Sequence, residues 1–246
     1  SISVDTPFLR KKEIVYNTNE DFQCQLIDVL ALDEEPNEEE GFSYSFKGKY
    51  TVYLFGVTKK SETVCIRVSG YKPSFFMNVS RNWTSRFNGD TFQLQRHLTS
   101  KDARFTDNWG KEKKIKWFNT RNIHLKIVQK KKFDGFQINE KHKFVEITFD
   151  SHIAMKQTVR YLESFKNKIL KIAGVKPLPI KLYEADIDPV LRMCHKRKIT
   201  PCSWVNLQKG KYTPIEEEYK KSHCQYEFHI DWQDIHPYET QDIAPF

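Results

Sequence analysis

The chain alternates between apolar runs and polar breaks, and the period of the runs changes along its length. "FQCQLIDVLAL", "YTVYLFGVT" and "ETVCIRVSG" are rich in β-branched and aromatic residues and are bounded by polar turns, so they predict a meander of antiparallel strands. "GYKPSFFMNV" places a Gly and a Pro ahead of a further aromatic strand. Between the first two runs, "DEEPNEEE" (33–40) crowds acids around a Pro and an Asn, which bury no apolar surface, and predicts an exposed loop. From Arg81 to about Gln129 the pattern loosens. "NGD" marks a turn and "TSKD" a loop, while Trp83, Phe87, Trp109, Trp117 and Phe118 are scattered between charges. One helix and a strand at "IHLKIV" are expected there.

A new rhythm follows the turn "NEK". "KFVEITFD" predicts a strand, and "SHIAMKQTVRYLESFKNKILKIAG" predicts the longest helix. Val159, Leu162, Phe165, Ile169 and Ala173 recur on one stripe, with Ser151 to cap the start and Gly174 to end it in a left-handed turn. "PIKLYEA" is a short strand. Asp188 and Pro189 are an N-cap and first-turn pair opening a short helix, "PVLRMCHKRK", whose basic end suits its dipole. "CSWVNL" and "CQYEFHIDW" are strands; in the second, Tyr226, Phe228, Ile230 and Trp232 face one way and Gln225, Glu227, His229 and Asp231 the other. Helices on one face of a mixed sheet would bury these stripes.

The length of 246 residues suits two lobes. No window approaches the roughly 20 apolar residues of a membrane span, and no signal peptide is read at "SISVDTPFLRKK", which lacks an initiator Met and is compatible with a trimmed start. Five scattered cysteines, Cys24, Cys65, Cys194, Cys202 and Cys224, fit a reducing compartment better than a disulfide scaffold. The net charge of +8 is concentrated: 13 Lys/Arg against 5 Asp/Glu lie between Lys101 and Lys143, an excess equal to that of the whole chain. Like charges held together are stabilised by a polyanion, so this window points to nucleic acid or an acidic protein surface, and reads equally as a solvated loop.

The candidate chemistry is sparse. Cys194 and Cys202 lack a Cys or His partner at zinc-knuckle spacing, and free cysteines are usually buried apolar residues. Asp186 and Asp188 could hold a divalent cation, but Asp188 is accounted for by capping, so no metal ligand is assigned. Nucleophile-elbow, Walker and zinc-protease motifs are absent from the sequence, and no catalytic residue is assigned. Binding is better represented. Arg81 and Arg86 interleave with Trp83 and Phe87; Lys111, Lys113, Lys114 and Lys116 precede Trp117; and Lys130, Lys131 and Lys132 precede Phe133. Cations neutralise phosphates and aromatic faces accept bases, a combination suited to single-stranded nucleic acid. The competing reading places the aromatics in a core and the lysines in water.

Taken in order, "YTVYLFGVTKKSETVCIRVSGYKPSFFMNV", "KKFDGFQINEKHKFVEITF", "LYEADIDPVLRMCHKRKITPCSWVNL", "CQYEFHIDWQDI" and "IAPF" resemble the N-terminal region of a family B DNA polymerase, of the delta type and its relatives in large DNA viruses. Phe55, Gly56, Pro73, Phe76, Gly135, Phe136, Tyr183, Glu184, Leu191, Arg192 and Trp204 match the family pattern. Asp134 departs from it, and 81–128 aligns with none of it.

The resemblance implies an α+β fold with a β-rich, OB-like lobe over 1–140, carrying a basic insert at 81–133, and an RRM-like mixed lobe over 141–246 ending at the junction to an exonuclease domain. It implies a nucleotidyltransferase with 3′–5′ exonuclease whose catalytic carboxylates and magnesium lie outside these residues, so no cofactor is expected in this chain. The implied partners are template-primer DNA and the exonuclease, palm, fingers and thumb domains, with a sliding clamp reached through other regions, and no membrane. The implied location is intracellular, in a nucleus or viral replication compartment. Two rivals remain at this level: a free-standing single-stranded nucleic-acid-binding module, and a small metal-dependent nuclease using Asp186 and Asp188.

Overall fold

The structure is a computed structural model that describes residues 18–34, 49–100, 104–106, 112–114, 123–131, 141–240 and 244. The chain starts one compact unit, builds a second, and returns to finish the first. Ser1–Leu32, Tyr50–Tyr71 and Val190–Phe246 form unit 1, and Asp33–Lys49 with Lys72–Pro189 form unit 2. A boundary after residue 140, as expected from the sequence, would cut through both, because sheet pairing joins segments on either side of it. The result is a strand-rich mixture of α and β.

The expected opening strands are β1 (Phe22–Glu34), β2 (Lys49–Val57) and β3 (Thr63–Ser69), which lie side by side. Their alternation places Cys24, Val52, Leu54, Val64, Ile66 and Val68 in one apolar core. Gly56 permits close approach of β2 to β1: a Cβ there would lie 2.7 Å from the Gln25 carbonyl oxygen and 3.1 Å from Cys24 Sγ.

Unit 2 is built on β4 (Ser74–Asn78), β7 (Ile123–Lys131), β8 (Lys141–Phe149) and β11 (Leu182–Tyr183), ordered β11-β4-β8-β7 with every neighbour antiparallel. Phe75 pairs with Ile147 and Met77 with Val145, so one face presents a continuous apolar surface. Helices α1 (Asp90–Leu98) and α2 (His152–Glu163) bury Leu94, Leu98, Met155, Val159 and Leu162 against it. β5 (Arg104–Thr106) and β6 (Glu112–Lys114) pair as an antiparallel two-stranded ribbon.

The long helix expected over 151–174 stops at Glu163. Ser151 caps its start, its hydroxyl accepting the Ala154 amide at 3.1 Å, as the sequence reading has it. The end comes early because Ser164 caps it, Phe165 turns extended, and Asn167 takes a left-handed φ of 58°, which asparagine tolerates. Ile169 then enters β9 (Ile169–Leu170), paired with β10 (Leu178–Pro179). Gly174 does take a positive φ of 78°, but between these two strands rather than at a helix end.

The return to unit 1 passes through α3 (Pro189–Arg197), which starts at the expected proline and supplies Val190 and Met193 to the first core. β12 (Trp204–Leu207), β13 (Tyr212–Pro214), β14 (Tyr226–Asp231) and β15 (Ile235–Tyr238) complete a seven-stranded sheet ordered β13-β14-β3-β2-β1-β12-β15. β14 lies parallel to β3, with Phe228 beside Ile66 and Glu227 beside Cys65. Phe228 and Ile230 are buried on the apolar side of the alternation, and Glu227, on the opposite side, is fully buried as well. Its carboxylate accepts the amides of Lys221 and Ser222 at 3.1 and 3.0 Å and the Ser222 hydroxyl at 2.6 Å, so the segment before β14 folds over it.

Candidate nucleic-acid interface

The expected binding residues of 81–87 sit on a loop built to hold its shape. Trp83 is its anchor: only 3% exposed, it packs among Leu94, Leu98 and Ile123. Its indole N–H donates to Thr91 Oγ1 at 2.9 Å, and that hydroxyl donates on to the Thr84 carbonyl at 3.0 Å. The Lys143 ammonium ties the carbonyls of Arg81 and Trp83, at 2.6 and 3.0 Å. Asn88 turns the chain at a positive φ of 59°, and the Gly89 amide donates back to the Arg86 carbonyl at 2.8 Å. A Cβ on Gly89 would lie 2.5 Å from Thr84 Oγ1.

This frame leaves Arg81, Arg86 and Phe87 on the outside, Phe87 at 80% exposure. Its ring lies 5.2 Å from that of Phe92, centroid to centroid, at 50°. Phe92 and Arg96 fall on the solvent face of α1, one turn apart, opposite the buried stripe of Thr91, Leu94 and Leu98. α1 is tied to α2 by a hydrogen bond between His97 Nε2 and the Tyr161 hydroxyl. Burial lowers the His97 pKa and raises that of Tyr161 to about 12, so both partners are held neutral near pH 7.

The sequence reading is thereby divided. Arg81 and Arg86 are surface cations, but Trp83 is a core residue whose ring has no face to offer a base. Lys130 lies on the sheet face opposite the helices, its ammonium 3.4 Å from the Phe76 ring centroid and 3.9 Å from Glu184 Oε1, so its charge is engaged within the fold. Lys113 and Lys114 fall on β6 and Lys131 ends β7, while Lys111, Lys116 and Lys132 lie outside the described residues. The structure adds Phe92 and Arg96, whose one sequence signal is that both lie off the apolar stripe of α1 at a spacing of four.

Asp186 and Asp188 line a cavity of about 380 Å³ whose other wall is His152, Lys156, Val159, Arg160 and Glu163 of α2. Asp33 stabilises the start of this helix by accepting the His152 and Ile153 amides at 2.7 and 2.8 Å. Burial and then Lys156 lower the His152 pKa, against Asp33 and Asp188. Among the described residues no three His, Cys, Asp or Glu side chains gather as a metal site would require. Cys24 and Cys65 are buried, which pushes each thiol to about 12, so neither serves as a nucleophile. No helix among the described residues is long and apolar enough to cross a membrane.

The fold matches that of the family B DNA polymerase from the hyperthermophilic archaeon Pyrobaculum calidifontis, with a TM-score of 0.54 and 13% identity over 92% of this chain and 21% of that one. Residues 180–246 match the model of the DNA polymerase family B exonuclease domain. The DNA polymerase of Acanthamoeba polyphaga mimivirus is 27% identical over 235 residues, which is 94% of this chain and 12% of that protein. This chain resembles the N-terminal region of family B DNA polymerases. Its relatives include the DNA polymerase of Phaeocystis pouchetii virus, 25% identical over 80% of the chain and 18% of its own length, and the DNA polymerase delta catalytic subunit of Bos taurus, 27% identical over 78% and 16%. The polymerase-like chain spans between 12% and 20% of the length of these and similar curated relatives.

Proposed function

We propose that this chain is the N-terminal part of a replicative family B DNA polymerase, that it braces the exonuclease and polymerase domains, and that it guides template DNA without catalysing either reaction itself. The observation that carries this reading is the similarity to a viral DNA polymerase running through both units over 94% of the chain. In this reading the seven-stranded unit is the OB-like lobe, and the four-stranded sheet with its two helices is the RRM-like one. Magnesium chemistry is assigned in this reading to carboxylates outside this sequence.

Arginines on the 81–96 surface would meet phosphates and position a strand without reading its sequence. The test has two arms. The purified chain, supplied with magnesium, is expected neither to extend a primer nor to shorten one, whereas joined to the rest of its polymerase it supports both. Its binding to single-stranded DNA is expected to vary little with sequence and to weaken with salt at a log–log slope of about −2, as three phosphate contacts predict. Extension by the isolated chain, or salt-independent binding, would overturn the reading.

A further inference from the structure

We propose that Phe87, backed by Phe92, preceded by Arg86 and with Arg96 one helical turn beyond Phe92, is a stacking platform for unpaired nucleic-acid bases. The inference deepens the proposed template contact and rests on it.

Three observations carry it. The first is exposure: Phe87 is the most exposed large apolar side chain among the described residues, at 80%, and Phe92 covers part of its ring at 5.2 Å while leaving the remainder open to water. The second is preorganisation. The loop beneath the ring is held by the Thr84–Asp90 hydrogen bonds, by the buried Trp83 and by Lys143, so the ring is displayed on a frame that needs no ordering on binding. The third is charge. Between Val79 and Thr99 the sequence has three arginines and one acid, Asp90, whose carboxylate is turned inward to Thr84. An apolar face in a cationic rim complements a polyanion with π-faced bases, which is single-stranded rather than duplex nucleic acid, since a duplex hides its faces in its own stack. Phe87 therefore reads whether bases are unpaired, and the arginines hold the backbone.

The experiment measures affinity of the intact chain for three fluorescent probes: oligothymidylate, an abasic strand of equal length, and a blunt duplex. Phe87→Ala is expected to weaken oligothymidylate binding about tenfold, the effect of one lost stacked base, and to leave the other two unchanged. Phe87→Trp should retain the affinity, and Arg86→Ala should weaken all three. Circular dichroism of each variant checks that this exposed position leaves the fold intact. If wild type binds and Phe87→Ala changes nothing, or weakens the abasic strand equally, the platform is refuted while template contact stands. If wild type binds none of the probes, template contact falls and the platform with it. A Phe87→Ala variant silent toward DNA but defective in joining the other polymerase domains would reassign the surface to protein docking.

Discussion

Thr84 and Asp90 hold each other across the turn that carries Phe87. The Asp90 carboxylate accepts the Thr84 amide at 2.9 Å and its hydroxyl at 3.0 Å, and the same hydroxyl accepts the Asp90 amide at 3.2 Å. The arrangement plays the part of a capping box at a helix whose N-cap is Gly89, which has no side chain to cap with. Asp90→Ala should cost about 1 to 2 kcal/mol in urea unfolding. Asp90→Asn, which keeps an acceptor oxygen, should cost less. Equal stability of wild type and the alanine variant would show that the turn is held by its other contacts alone.

Glu227 is the second structural carboxylate. Its three hydrogen bonds to Lys221 and Ser222 hold the segment that precedes β14, and each donor would be left without its acceptor on truncation. Glu227→Ala is expected to destabilise unit 1 by about 2 to 4 kcal/mol. Proteolysis should show earlier cutting near Ser222 in this variant; an unchanged cleavage pattern argues against the pinning role.

Gly56 tests the packing of β2 on β1. A methyl group there would lie 2.7 Å from a backbone oxygen, which cannot swing aside as a side chain would. Gly56→Ala should lower the unfolding free energy by about 1 to 3 kcal/mol, measured by the denaturant midpoint. Gly210→Ala is the contrasting case: its added Cβ would meet nothing within 4 Å, so any loss there reports the strain of its positive φ of 73° and not a steric clash.

The half-buried histidines set a pH dependence. His97 and His152 have pKa values lowered from 6.5 by burial, so the unfolded chain binds more protons as pH falls. Their contribution is therefore present above about pH 6.5 and is lost as pH falls toward their folded values. Thermal melts should show unit 2 gaining stability from mildly acidic to neutral pH. His152→Gln should shrink that gain, and an unaltered profile would assign it to other groups.

Much of the architecture was legible in the chain. Alternation in "YTVYLFGVT" and "ETVCIRVSG" marks real neighbouring strands, Ser151 is a real cap, and Pro189 opens a real helix. Two kinds of information were not. Stripe residues Ile169 and Ala173 continue the helical spacing past Glu163, yet the backbone leaves the helix at Ser164, because spacing records which face is apolar and not where φ changes sign. The burial of Glu227 and Trp83 is not legible in the chain because burial of a polar or amphipathic side chain depends on partners elsewhere in the sequence or across a turn. For the surface site, exposure of Phe87 beside Phe92 is a tertiary fact that interleaved cations and aromatics could only hint at.

The interleaving of the two units has a consequence for synthesis. β1, β2 and β3 leave the ribosome as a three-stranded piece with both outer strands bare, since β12 and β14, which flank them, come more than a hundred residues later. The intervening 72–189 segment can close around its own sheet in that interval, while the earlier strands wait with open edges. A translational pause or truncation before Tyr226 thus leaves the first sheet with an unpaired, aggregation-prone edge while the second sheet is already closed.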